Sequence, residues 1–172
     1  GRKTLDDFLG ESGVEAIISN LIIQNGKISD SAGAGIKNAG ALSLNGTTVR
    51  SNQINTSGPS IDQGGGGVFN SGTLTINKSS ITDNVVNAYY GGGIFNSGIM
   101  SVTQSTIAGN SARAGGGVFN TVFTGVPTPG TVTISDSTIS SNSVPMNASG
   151  SGMDHSGGGF LNDGKATVYG CT

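Results

Sequence analysis

Two stretches of this chain, GGGVFNSGTLTINKSSITDN at 65–84 and GGGIFNSGIMSVTQSTIAGN at 91–110, align without a gap. A third copy runs from Gly115 to Asn142, with GGGVFN and then GTVTISDSTISSN, and takes up Val122 to Pro129 where the others turn. An earlier copy, GAGIKNAGALSLNGTTVRSN, spans Gly33 to Asn52, and a later one starts at Gly157 and stops at Thr172. The second half of another, IISNLIIQN, occupies Ile17 to Asn25. Ile36 and Val68 are 32 residues apart, Val68 and Ile94 26, Ile94 and Val118 24. A stacked solenoid tolerates such variation, because only neighbouring coils touch and the loops between strands are free to differ.

Within a copy the apolar period is two. Leu74 and Ile76 alternate with Thr73, Thr75 and Asn77, the pattern of a strand with one buried face. One column of equivalent positions reads Leu44, Ile76, Val102, Ile134 and Val168; a second reads Ile22, Val49, Ile81, Ile107 and Ile139; a third reads Ile36, Val68, Ile94, Val118 and Phe160. Three columns imply three short strands per coil, with Gly and Asn at the corners. The expected fold is therefore all-β, a single-stranded right-handed parallel β-helix of about five to six coils, with like residues stacked about 4.8 Å apart. A Gly-rich helix bundle is disfavoured, since each interior Gly costs about 1 kcal/mol against Ala. Residues 1–13 do not fit the repeat and read as an irregular segment or cap before a repeat domain at 14–172. The last copy stops just short of the position of Ile81, Ile107 and Ile139, so the solenoid is expected to continue beyond Thr172.

Two asparagine columns stand out, Asn38, Asn70, Asn96, Asn120 and Asn162, and Asn25, Asn52, Asn84, Asn110 and Asn142. Asn tolerates the left-handed region, and stacked amides bond along the axis, so both read as structural ladders. The Gly triplets at 65–67, 91–93, 115–117 and 157–159 precede strands rather than helices. That argues for tight turns rather than a phosphate loop. Ser79, Ser105 and Ser137, aligned with Asn20, Thr47 and Cys171, read as a small polar stack at an inward corner.

Composition narrows the chemistry. The net charge is −2 with 10% charged residues, which gives no basic footprint for nucleic acid. Cys171 and His155 are each the only residue of their kind, so neither a disulfide nor a multi-Cys or multi-His metal site can form within the chain. No apolar run is long enough for a membrane-spanning helix. No cofactor and no catalytic residue is read from the sequence.

The repeats resemble bacterial right-handed β-helix proteins of the polymorphic outer-membrane-protein and autotransporter-passenger type. Their signature pairs a Gly-Gly-Ala-aliphatic motif with an aromatic-x-x-Asn motif. Gly65-Gly66-Gly67-Val68, Gly91-Gly92-Gly93-Ile94 and Gly115-Gly116-Gly117-Val118 match the first with Gly for Ala. Ile81-Thr82-Asp83-Asn84, Ile107-Ala108-Gly109-Asn110 and Ile139-Ser140-Ser141-Asn142 match the second with Ile for the aromatic. The resemblance implies a non-catalytic structural or adhesive segment of a large cell-surface or secreted bacterial protein. The expected partner is a host-surface or extracellular polysaccharide or protein. The alternative is a carbohydrate-binding or polysaccharide-degrading helix, since the same fold hosts pectate lyases, with its active residues lost or outside this segment.

Glycoside hydrolysis needs carboxylates within about 5–9.5 Å of one another. Asp83 aligns with Gln24, Ser51, Gly109 and Ser141, and Asp136 with Ser19, Gly46, Lys78, Gln104 and Gly170, so neither column stacks a second acid. The two longest loops, 53–64 and 143–156, leave the same corner and carry Asp62 and the Asp154–His155 pair. For binding, Phe69, Phe95 and Phe119 form a column between inward neighbours and are expected to face outward, an exposed aromatic strip suited to a sugar face or a partner. An outward hydroxyl column, Ser43, Thr75, Ser101, Thr133 and Thr167, reads as ordinary strand preference for Thr.

Overall fold

A computed structural model of the protein describes residues 15–56, 64–87, 89–122, 129–145 and 157–172. Residues 1–13 lie outside that set. Every regular element among the described residues is a strand, and every named strand pair is parallel. The chain winds as a right-handed parallel β-helix.

The first sheet has six strands, Glu15–Ser19, Ala41–Asn45, Thr73–Asn77, Ile99–Thr103, Thr131–Ser135 and Lys165–Tyr169, stacked in chain order. Its register places Leu44, Ile76, Val102, Ile134 and Val168 in one file, as the period-two pattern requires. Ile18 joins them in the first coil. The second sheet stacks Ile22–Gln24, Thr48–Arg50, Ser80–Thr82, Thr106–Ala108 and Thr138–Ser140, and files Val49, Ile81, Ile107 and Ile139. The fourth stacks Ile36–Asn38, Val68–Asn70, Ile94–Asn96, Val118–Asn120 and Phe160–Asn162. The three apolar files meet in one core with Leu42, Leu74, Met100 and Val132.

Two expectations need correction. From Lys27 to Ser143 successive coils carry a further, very short strand or bridge where three strands were expected. Lys27–Ser29, Gln53–Asn55 and Val85–Val86 pair in a third sheet, and single bridges extend it through Ser111 to Ser143. Ile54, Val86 and Ala112 point inward from it and form a small separate core with Ile28. The signal was present: an aliphatic residue stands two positions after each Asn of the second column from Asn52 on, in Asn52-Gln53-Ile54, Asn84-Val85-Val86 and Asn110-Ser111-Ala112.

The front copy is also shifted by one residue. Ile23, not Ile22, pairs with Val49, and Ile22 is 59% exposed. Asn25 consequently leaves the ladder file for the corner position of Ser51, and Asn20 leaves the serine file for the corner position of Gly46. Ser19 and Gln24 likewise shift to face Asn45 and Arg50. The apolar run around Ile17, Ile18, Leu21, Ile22 and Ile23 has no alternation to set a register. The corner does so instead: Asn20 (φ 56°) and Asn25 (φ 61°) take the left-handed turns, which Asn accepts more readily than most residues.

Both internal ladders form. Asn38 Nδ2 donates to Asn70 Oδ1, Asn70 to Asn96, Asn96 to Asn120 and Asn120 to Asn162, each at 2.7 Å. Asn52, Asn84 and Asn110 donate in the same sense to Asn84, Asn110 and Asn142 at 2.9–3.0 Å. In this second ladder the Oδ1 atoms of Asn84, Asn110 and Asn142 also accept the backbone N–H of the preceding coil's Asn. Ser79, Ser105 and Ser137 are buried and repeat the device with hydroxyls, each accepting a backbone N–H from the coil before. Such bonds satisfy polar groups that a narrow core otherwise leaves stranded.

The Gly triplets make the entry to the fourth sheet. Gly65, Gly91 and Gly115 have φ of 69°, 65° and 60°, which glycine adopts without a Cβ penalty. A Cβ on Gly93 would sit 2.6 Å from the Gly117 carbonyl oxygen and 2.9 Å from Asn110 Nδ2, so this position has no room for a side chain.

Asn96 is fully buried, and its Nδ2 also reaches the carbonyls of Gly98 (3.1 Å) and Thr131 (3.4 Å). Asn96→Ala removes the donor to Asn120 Oδ1 and is expected to lower stability by about 1–3 kcal/mol. Urea unfolding checks this against Asn77→Ala in the outward file, which is expected to shift stability by less than about 0.5 kcal/mol.

Candidate functional site

The aromatic file does not lie on the surface. Phe69, Phe95 and Phe119 are in register as read from the sequence, but they are only 7%, 1% and 6% exposed. They do point away from the main core, and a second layer covers them. The residues entering each coil, Gly64, Tyr90 and Ala114, are bridged in parallel, and Tyr90 packs with Ala32 and Leu161 against the rings. Phe69 and Phe95 stack at 5.0 Å, Phe95 meets Phe119 edge-on at 5.4 Å, and Tyr90 stacks on Phe119 at 4.7 Å. The expected exposed strip is a satellite core. The segment that covers it precedes the Gly triplet in sequence, so strand alternation alone could not reveal it.

Asp62, Asp154 and His155 lie outside the described residues. Among the described residues, no group of three or more His, Cys, Asp or Glu side chains could hold a metal ion. Asp83 (φ 56°) and Asp136 (φ 49°) are corner residues. Their Oδ1 atoms lie over Gly109 and Gly170 of the following coil, 2.5 and 2.6 Å from where a Cβ would stand. These glycines leave room for the carboxylates, and both acids serve the turn. Cys171 continues the serine file, its Sγ 3.3 Å from the Tyr169 carbonyl oxygen.

The outer face of the first sheet is uncharged over its four central coils. It presents Ala41, Thr73, Ile99 and Thr131 in one file, Ser43, Thr75, Ser101 and Thr133 in the next, and Asn45, Asn77 and Thr103 in the third, whose Ser135 is buried. Its hydroxyls follow the register expected of them. At the corner between the third and fourth sheets, Tyr89 and Tyr90 are half-buried with ring centroids 6.1 Å apart. Arg113 of the next coil donates its backbone N–H to the Tyr89 carbonyl at 2.9 Å. Two aromatic residues and the backbone of a cationic one are thus neighbours at this corner, which went unread in the sequence because the two tyrosines occur in a single copy. No helix of the described residues is long and apolar enough to cross a membrane.

No curated protein and no solved structure shows significant similarity to the chain. The family described as the right handed beta helix region matches residues 5–172. With the coil stack, the register and the internal ladders in agreement with that match, the chain belongs to the right-handed β-helix family.

Proposed function

We propose that this chain is a non-catalytic structural and adhesive segment of a bacterial cell-surface or secreted protein. The observation that carries the reading is the use made of the reactive side chains among the described residues. Among the described residues, Asp83 and Asp136 shape corners, Ser79, Ser105 and Ser137 fill a buried file that a half-buried Cys171 continues, and two asparagine columns are spent on ladders. The first sheet presents outside a face of short neutral side chains, repeated over its four central coils, which suits an extended contact surface. The partner would be a host-surface or extracellular polysaccharide or protein. A polysaccharide-binding or polysaccharide-degrading helix is the second reading, favoured by the Tyr89–Tyr90–Arg113 corner.

Beads carrying the chain and passed over immobilised neutral and acidic polysaccharides and matrix proteins test both. The expected result is saturable retention on one class of surface, with no new reducing ends and no unsaturated sugar termini released. Release of either would overturn the non-catalytic reading, and absence of retention on every surface would remove the adhesive one.

A further inference from the structure

The second ladder does not end on an asparagine. In the first coil its position is taken by Gly26, whose backbone N–H donates to Asn52 Oδ1 at 2.9 Å. The residue before it is Asn25, exposed and left-handed at φ 61°. Equivalent corners in later coils hold Ser51-Asn52, Asp83-Asn84, Gly109-Asn110 and Ser141-Asn142, so this coil alone places an Asn–Gly pair there.

Asn–Gly is the dipeptide most prone to deamidation, because glycine does not hinder its own nitrogen. That nitrogen, on losing its proton to solvent base, attacks the Asn side-chain carbonyl carbon. The bond to Nδ2 breaks, and ammonia leaves with a proton from water. The resulting five-membered imide takes up water and opens at either carbonyl, giving aspartate or isoaspartate. A Gly26 N–H held by Asn52 can neither lose its proton readily nor turn toward the Asn25 side chain. The nucleophile of the reaction is thus the group that the last rung of the ladder occupies.

We infer that Asn25–Gly26 is a deamidation site kept closed by Asn52. While the first coil is seated the site stays asparagine, and when the coil opens it converts. Conversion places a charge, and in the isoaspartyl form an extra backbone methylene, at the corner beside the second ladder, so an opened coil is hindered from reseating. A second pair, Asn45–Gly46, supplies an internal control: its Gly46 N–H is held by the backbone carbonyl of Asn77 at 3.1 Å and does not depend on Asn52.

The test is peptide mass spectrometry on the whole chain incubated at mildly alkaline pH, reading the one-dalton gain at Asn25 and at Asn45. Asn25 is expected to survive in the folded chain for times over which a free peptide spanning Leu21 to Ser29 converts. Asn52→Ala is expected to accelerate conversion at Asn25 about tenfold, the factor that loss of one hydrogen bond of ordinary net strength produces. Asn45 should be unchanged. Asn52→Asp retains an acceptor for Gly26 N–H while losing the donor to Asn84, and should keep Asn25 slower than in Asn52→Ala. Conversion of the unsubstituted folded chain at the peptide's rate would overturn the inference. So would equal acceleration at both sites in Asn52→Ala, or equal rates at Asn25 in the two variants.

Discussion

Phe95→Ala is expected to lower stability by about 3–5 kcal/mol, the range for removing a fully enclosed aromatic side chain. The ring is 1% exposed and lies between Phe69 and Phe119, so its loss opens a cavity in the middle of the satellite core. It also uncouples the layer of entering segments from the fourth sheet. An exposed ligand-binding ring would behave differently, since Ala there would leave unfolding unchanged and weaken only binding. Urea or thermal unfolding of Phe95→Ala therefore separates the two roles directly. Phe95→Leu, which restores most of the volume, is expected to recover part of the loss.

Ile107→Ala is expected to cost about 2–5 kcal/mol by lost burial and an unfilled cavity. Ile107 is fully buried between Ile81 and Ile139 in the second-sheet file. Ile22→Ala removes a side chain of the same size from the outward face of the first coil, where it is 59% exposed, and is expected to change stability by less than about 0.5 kcal/mol. The pair checks the corrected register: if the first coil were aligned with Ile22 inward, Ile22→Ala would approach the cost at Ile107. Urea unfolding midpoints give the comparison.

The core of this fold was legible because strand chemistry repeats where strand geometry repeats. Ala41–Asn45, Thr73–Asn77 and Thr131–Ser135 alternate cleanly, so their register followed from period two alone. The ladders were legible for the same reason, since Asn recurs at one place in each turn. Three things were hidden, each by a local cause. Ile17, Ile18 and Leu21–Ile23 are apolar on both faces and carry no register until the corners at Asn20 and Asn25 are placed. The third sheet consists of strands as short as two residues, too brief for alternation to show. The burial of the phenyl rings depends on Ala32 and Tyr90, which reach them over the top from neighbouring loops. Of the candidate site residues, Asn70, Asn84, Asn96, Asn110, Asn120 and Asn142 hold the ladder role assigned to them, and the aromatic file keeps its order while losing its exposure.

Both internal ladders run in one direction: every rung is given by an earlier coil and received by a later one. Backbone groups of a β-sheet largely cancel along the stacking axis, because their dipoles alternate. The side-chain amides do not alternate, so their dipoles add, as peptide dipoles do along an α-helix. Along the described coils the amides accordingly carry an electrical polarity, negative toward Asn38 and positive toward Asn162. The buried Oδ1 of Asn38, with no hydrogen-bond partner, is the unpaired negative pole of that array. A hydrogen-bond donor or cation is favoured beside it, and an anion beside the amide of Asn162 at the other end. Any coil added to the stack must therefore arrive with its own amides aligned in the same sense, which gives a neutral repeat a built-in direction of growth.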